Sequence, residues 1–118
     1  MSQTALQASM PLSKGQRRSA CLAALADPTR RAILELLSRK RLHVEELASH
    51  FPVSRPAVSK HLRALKQAGL LHESHEGRRA FYAVNPKPLA EVEQWLTAQR
   101  QVWETSLAKL KRLVERDD

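Results

Sequence analysis

Hydroxyls and cations crowd the stretch 54–66, which contains Ser54, Arg55, Pro56, Ser59, Lys60, His61, Arg63 and Lys66 and no Asp or Glu. Read as a helix turning about 100° per residue, this stretch gathers Val58, Leu62 and Leu65 into one apolar stripe. The opposite face carries Pro56, Ser59, Lys60, Arg63 and Gln67. Ser54 suits the N-cap, Pro56 sits in the first turn where a missing N–H does no harm, and Gly69 suits the C′ stop. The chemistry open to such a face is recognition of a duplex polyanion. Ammonium groups meet phosphates, while hydroxyl and guanidinium groups reach base edges in a major groove. Arg63 or Arg55 is the candidate for guanine O6/N7, and Lys60 and Lys66 are candidates for phosphate. His61 lies at the edge of the apolar stripe, where packing is its default role and a DNA contact stays open. A merely solvated amphipathic helix would show the same face, so the neighbouring elements must decide.

Those neighbours have a readable order. Residues 1–14 lack hydrophobic periodicity and read as a flexible tail, leaving 15–118 as one domain. A first helix is expected over 16–26, with Cys21, Leu22 and Leu25 on its apolar side. Asp27-Pro28 starts a second, through Ile33, Leu34, Leu36 and Leu37, which ends in the basic run Arg39-Lys40-Arg41. That run suits a helix C-terminal dipole and is also within the chemistry of phosphate contact. A short helix over 43–50, the turn Phe51-Pro52-Val53 and the helix at 54–68 together make a helix-turn-helix over about 43–68. The period then shifts from 3.6 to 2, predicting a hairpin over about 70–84 whose turn is Glu76-Gly77-Arg78. Arg78 and Arg79 stand at its tip, where basic residues suit phosphate or the minor groove. A long helix is expected over about 88–116. Its near-heptad stripe includes Val92, Leu96, Trp103, Leu110 and Leu113, widened by Trp95 and Val102. A neutral helix with that stripe and both tryptophans suggests a dimer. Packing against the first helix of the same chain is the alternative.

Composition agrees with a nucleic-acid partner. The formal charge is +8 and the pI about 10.4 over 118 residues. Residues 28–82 hold eleven Lys or Arg against five Asp or Glu, whereas 83–118 hold six of each. The surplus therefore surrounds the candidate recognition helix. Cys21 is the one cysteine, which excludes an internal disulfide and suits a reducing cytosol. No stretch reads as a signal peptide or a membrane span, so a cytoplasmic protein without a membrane partner is expected.

Catalytic and metal readings are weak. No paired acids, Gly-rich phosphate loop or Cys–His neighbours point to an enzyme. His72 and His75 are three apart on an expected strand, which turns them to opposite faces. No metal site and no cofactor are expected. The different functional class that stays open is a winged adaptor binding protein rather than DNA.

The residues also resemble a known family. Leu25-Ala26-Asp27-Pro28-Thr29-Arg30-Arg31-Ala32-Ile33-Leu34-Glu35-Leu36-Leu37, Glu46-Leu47-Ala48, Ser59-Lys60-His61-Leu62-Arg63-Ala64-Leu65 and Ala68-Gly69-Leu70-Leu71 are similar to the ArsR/SmtB winged-helix repressors. The Gly77-Arg78-Arg79 turn with Tyr82 matches their wing. The likeness covers roughly 20–85 and is to a branch without the known metal-site motifs. It implies a mainly α (α+β) winged helix-turn-helix that binds double-stranded DNA at an imperfect palindrome and represses transcription. It also implies a homodimer through the first and last helices. Cys21, Leu22, Leu25, Trp95, Leu96, Val102, Trp103 and Leu110 are the interface candidates. The Cys-x-Cys pair of metal-sensing members is absent, since His43-Val44-Glu45-Glu46-Leu47-Ala48 stands in its place. The last helix has no histidine, so the sequence names no inducer.

Overall fold

The computed structural model describes residues 12–116. Two helices lead: α1 (Lys14–Leu25) and α2 (Pro28–Leu37). Most of the expected tail, residues 1–11, lies outside the described residues, but its last residues are helical or capping. Ser13 Oγ accepts from the Gln16 backbone N–H at 3.1 Å, and Gln16 Oε1 accepts from the Ser13 N–H at 2.8 Å. This reciprocal capping box starts α1 two residues before the apolar spacing predicts. Asp27 Oδ1 accepts from the Arg30 N–H at 3.0 Å, and Pro28 occupies the first position of α2, as the Asp-Pro pair predicts. Arg30 Nε donates to the Ala24 carbonyl at 2.8 Å and Arg31 Nη1 to that of Leu25 at 2.7 Å. Both arginines thus satisfy end carbonyls of α1, which would otherwise lack partners.

Next come β1 (Leu42–His43), α3 (Val44–Ala48) and α4 (Arg55–Gln67). The hairpin strands β2 (Leu71–Glu76) and β3 (Arg79–Val84) and the long helix α5 (Lys87–Arg116) follow. The sheet is antiparallel with order β1-β3-β2. Strand β1 is absent from the sequence reading. Its two residues pair with Tyr82 and Phe81, and two residues are too few to show a period. Each hairpin strand is six residues long, and Glu76, expected in the turn, ends β2, so that the hairpin closes over Gly77-Arg78, with Gly77 at φ 60°. Gly69, at φ 78°, stops α4 and lets the chain turn into β2.

The core lies where α1, α2, α3, α4 and the sheet converge. Ile33, Leu47, Val58, Leu62, Leu65 and Leu70 are its most deeply buried large side chains. α5 joins this body only through its first turns. Val92 is buried and Leu89 packs against the core, whereas every residue from Arg100 to Arg116 is exposed. A 30-residue helix is about 45 Å long. The molecule therefore extends over 72 × 40 × 22 Å. None of the described helices is long and apolar enough to cross a membrane.

Candidate nucleic-acid interface

The helix at 55–67 is fixed at both ends and along one side. Ser54 Oγ accepts from the Ala57 N–H at 3.3 Å, Pro56 sits in the first turn, and Val58, Leu62 and Leu65 are fully buried. Burial of that stripe leaves the opposite face outward. Ser54, Arg55, Pro56, Lys60 and Arg63 are exposed, and Ser59 is half-buried. α3 packs across the N-terminal side of α4 to complete the helix-turn-helix.

The cations from Arg41 to Arg79 fall into two sets. Arg55 Nη2 lies 2.8 Å from Glu45 Oε1 on α3, and Lys66 Nζ donates to Glu73 Oε2 on β2 at 2.8 Å. Arg41 pairs with Glu76 while its guanidinium stacks 4.5 Å above the Phe81 ring. Lys60, Arg63, Arg78 and Arg79 form no ion pair with a described residue. This division is invisible in a charge count. Glu45, Glu73 and Glu76 each meet a cation from a different element, and only the fold brings them together. A free cation gains the full phosphate attraction, whereas a paired one must exchange partners.

At the hairpin, Arg78 and Arg79 are exposed at the tip. Glu73 and Tyr82 face each other in register, and the Tyr82 hydroxyl donates to Glu73 Oε1 at 2.8 Å. The Lys66 and Tyr82 hydrogen bonds hold the Glu73 carboxyl down at about 2 against a smaller opposing effect of burial. Burial, then the hydrogen bond to an anion, pushes the Tyr82 hydroxyl up to about 12. His75 Nε2 lies 3.4 Å from the same carboxylate.

Two expected site residues sit differently from their neighbours. His61 is half-buried, and its Nδ1 is shielded with no hydrogen-bond partner among the described residues. Asp27, the cap of α2, is held below the ordinary carboxylate range chiefly by the hydrogen bond from the Arg30 N–H. Cys21 is fully buried in the core of a single chain, which leaves it no surface to offer a second copy. Burial and the nearby Glu91 push its thiol up, away from the reactive thiolate.

The other interface candidates divide along α5. Trp95 is half-buried, with Arg18 of α1 lying 5.4 Å over its ring, and Arg17 pairs with Glu91 at 3.2 Å. Here the alternative of packing on the first helix describes the structure. Leu25 packs against the core, whereas Leu22, Leu96, Val102, Trp103 and Leu110 are exposed, Trp103 at 63% and Leu110 at 58%. Among the described residues no three of His, Cys, Asp and Glu cluster as a metal site.

A helix-turn-helix with a buried apolar stripe and an outward cationic face on its second helix, followed by a basic-tipped hairpin, defines a winged helix-turn-helix of the DNA-binding class. Residues 27–73 match the family model described as bacterial regulatory protein, arsR family. The chain is 44% identical over 92 residues to the HTH-type transcriptional regulator Rv2034 of Mycobacterium tuberculosis, covering 78% of this chain and 83% of that one. It is 37% identical over 73 residues to the transcriptional repressor SdpR of Bacillus subtilis, covering 62% and 81%. An ArsR-like transcriptional regulator from Rhodococcus sp. RHA1 superposes with a TM-score of 0.75 at 34% identity, over 82% of this chain and 92% of the other. The homodimeric winged helix-turn-helix domain of Mb0332 from Mycobacterium bovis gives 0.59 at 26% identity, over 72% and 80%. The chain belongs to the ArsR family of DNA-binding transcriptional regulators, which are not enzymes.

Proposed function

We propose that this protein is a homodimeric repressor that binds an imperfect palindrome in a bacterial promoter. The observation that carries this reading is the set of unpaired cations on the two elements suited to DNA, Lys60 and Arg63 on α4 and Arg78 and Arg79 at the wing tip. Arg63 reads guanine in the major groove, with Ser54, Arg55, Pro56 and Ser59 lining the approach at the helix N-terminus. Lys60 holds phosphate, and Arg78 and Arg79 take phosphate or the minor groove beside it. His61 and Lys66 serve the scaffold instead, the first by its burial and the second by its ion pair with Glu73. The repressor role is supported by SdpR, a repressor at 37% identity.

Dimerisation is supported by the homodimeric Mb0332 domain and by the apolar side of α5. Leu96, Val102, Trp103 and Leu110, with Leu22 on α1, form the surface that a second copy covers. Two recognition helices then address half-sites about 10 bp apart, or a multiple of that spacing. Acting on a promoter places the protein in the cytoplasm with the nucleoid.

The test is fluorescence anisotropy with a duplex from upstream of the protein's own gene and a scrambled duplex, at several salt concentrations. Tight binding to the first alone, two chains per site and a steep log–log salt slope are expected. Arg63→Ala lowers the preference for the first duplex by about 1–3 kcal/mol. Binding to neither at about 0.1 M salt would point instead to a winged adaptor for a protein partner.

A further inference from the structure

Glu73 is an acid placed beside a surface built for phosphate. Its negative charge opposes DNA binding, so its place there needs a positive reason. The geometry supplies one. Its two carboxylate oxygens take donors from two different elements, Lys66 Nζ in the last turn of α4 and the Tyr82 hydroxyl on β3, each at 2.8 Å. His75 Nε2, on the same face of β2, stands 3.4 Å away. One side chain therefore joins the reading helix to both strands of the wing.

The remaining ties between α4 and the hairpin lie at its base. Asn85 Nδ2 donates to the Gly69 carbonyl at 2.9 Å, and the Asn85 N–H donates to the Leu70 carbonyl at 2.8 Å. Beyond its base the hairpin is held to other elements, with β3 paired to β1 at Phe81 and Tyr82 and Arg41 paired with Glu76 near the tip, and Glu73 is the side chain that ties it to α4 there. From Leu71 to Gly77 the strand rises about 20 Å at roughly 3.3 Å per residue. A 10° change in the angle between that arm and α4 moves the tip by about 3.5 Å, which is more than a direct hydrogen bond tolerates. Glu73 lies two residues beyond the base and is tied back to α4, so it restrains that angle from the α4 side.

We infer that Glu73 is a positioning residue for DNA binding: through Lys66 and Tyr82 it sets the angle between α4 and the wing, so that Arg78 and Arg79 reach the duplex while α4 occupies the groove. The inference rests on the DNA-binding reading above and assigns Lys66 to the clasp, not to phosphate. A role for Glu73 in masking Lys66 has the opposite sign, because removing the carboxylate would then strengthen binding.

The experiment is a mutant cycle read by anisotropy. The probe is a duplex that the wild-type protein selects from a random pool. The variants are Glu73→Gln, the pair Arg78→Ala with Arg79→Ala, and all three together, with circular dichroism confirming the fold. Glu73→Gln is expected to weaken binding about ten-fold. It should also reduce the salt slope by up to about 1.8 per chain, the share of two phosphate contacts, or about 3.6 for the dimer. In the background lacking Arg78 and Arg79 it should change affinity less than about two-fold, because no wing contact remains to be positioned. Tyr82→Phe, which deletes one hydroxyl, should give a smaller loss with the same dependence on Arg78 and Arg79, and serves if Glu73→Gln does not fold. Unchanged or tighter binding by Glu73→Gln overturns the inference, as does a ten-fold loss that persists without the wing arginines. If no duplex is selected, or the arginine pair is silent, the DNA-binding reading of the wing fails and the inference with it.

Discussion

The Tyr82 hydroxyl donates a 2.8 Å hydrogen bond to Oε1 of Glu73, its register partner across the hairpin. Tyr82 is the chain's single tyrosine, so its ultraviolet ionisation reports on this contact alone. The midpoint should lie near 12, well above the ordinary 10. Glu73→Gln removes the anionic acceptor and should bring the midpoint part of the way back, burial accounting for the remainder. A wild-type midpoint at 10 would show that the hydroxyl is solvated and the contact absent. The sign for stability follows from the raised value. Neutral Tyr82 favours the fold below pH 10, and this contribution is lost as the pH rises through 12.

Glu73 acts in the opposite direction. Its carboxyl is held at about 2 in the fold against an ordinary 4.5. Its ionised form therefore stabilises the fold fully above pH 4.5, and the contribution disappears as the pH falls through 2. In urea melts Glu73→Gln should be less stable than wild type at pH 6, and the gap should narrow below pH 4.5. Lys66 is about half exposed, so salt should shrink the gap as well. A gap that is constant with pH would remove the ion pair as its cause.

His61 carries a shielded ring nitrogen without a partner among the described residues. Leaving a buried polar atom unmade costs about 1–3 kcal/mol. His61→Leu, of similar bulk, should leave thermal stability unchanged or raise it by up to about 1 kcal/mol. DNA affinity should stay within about two-fold, well short of the ~1 kcal/mol lost with a base contact. A ten-fold loss of affinity in a folded variant would show that the imidazole reaches the duplex.

Trp103 is 63% exposed in the single chain, so its truncation removes little from the monomer core. As a dimer anchor it should matter far more. Aromatic anchors at interface centres contribute about 2 kcal/mol or more, roughly 30-fold in affinity. Sedimentation equilibrium of Trp103→Ala should show a dimer weakened by at least that factor while its helical circular dichroism is retained. An undiminished dimer would place the interface elsewhere on the chain.

Much of this protein is legible along the chain because its signals are local. Ser54, Pro56 and Gly69 bound the recognition helix, and Asp27-Pro28 opens α2, through hydrogen bonds and backbone limits that span a few residues. Val58, Leu62 and Leu65 name the buried face because helix geometry alone puts them on one side. The family motifs are legible for the same reason. Tertiary structure decided what depends on distant partners. Strand β1 exists only because β3 offers it an edge, and Cys21 is buried only because the helices close over it. Trp103 in the repeat and Trp95 beside it both read as interface candidates, yet Trp95 meets Arg18 and Trp103 projects beyond the body. The charges make the same point. A surplus of cations is a property of composition, but which of them remain free depends on pairs such as Arg41 with Glu76, thirty-five residues apart. Ion pairs of that range are set by where the folded backbone brings side chains together, and no period or local propensity in the chain encodes that distance.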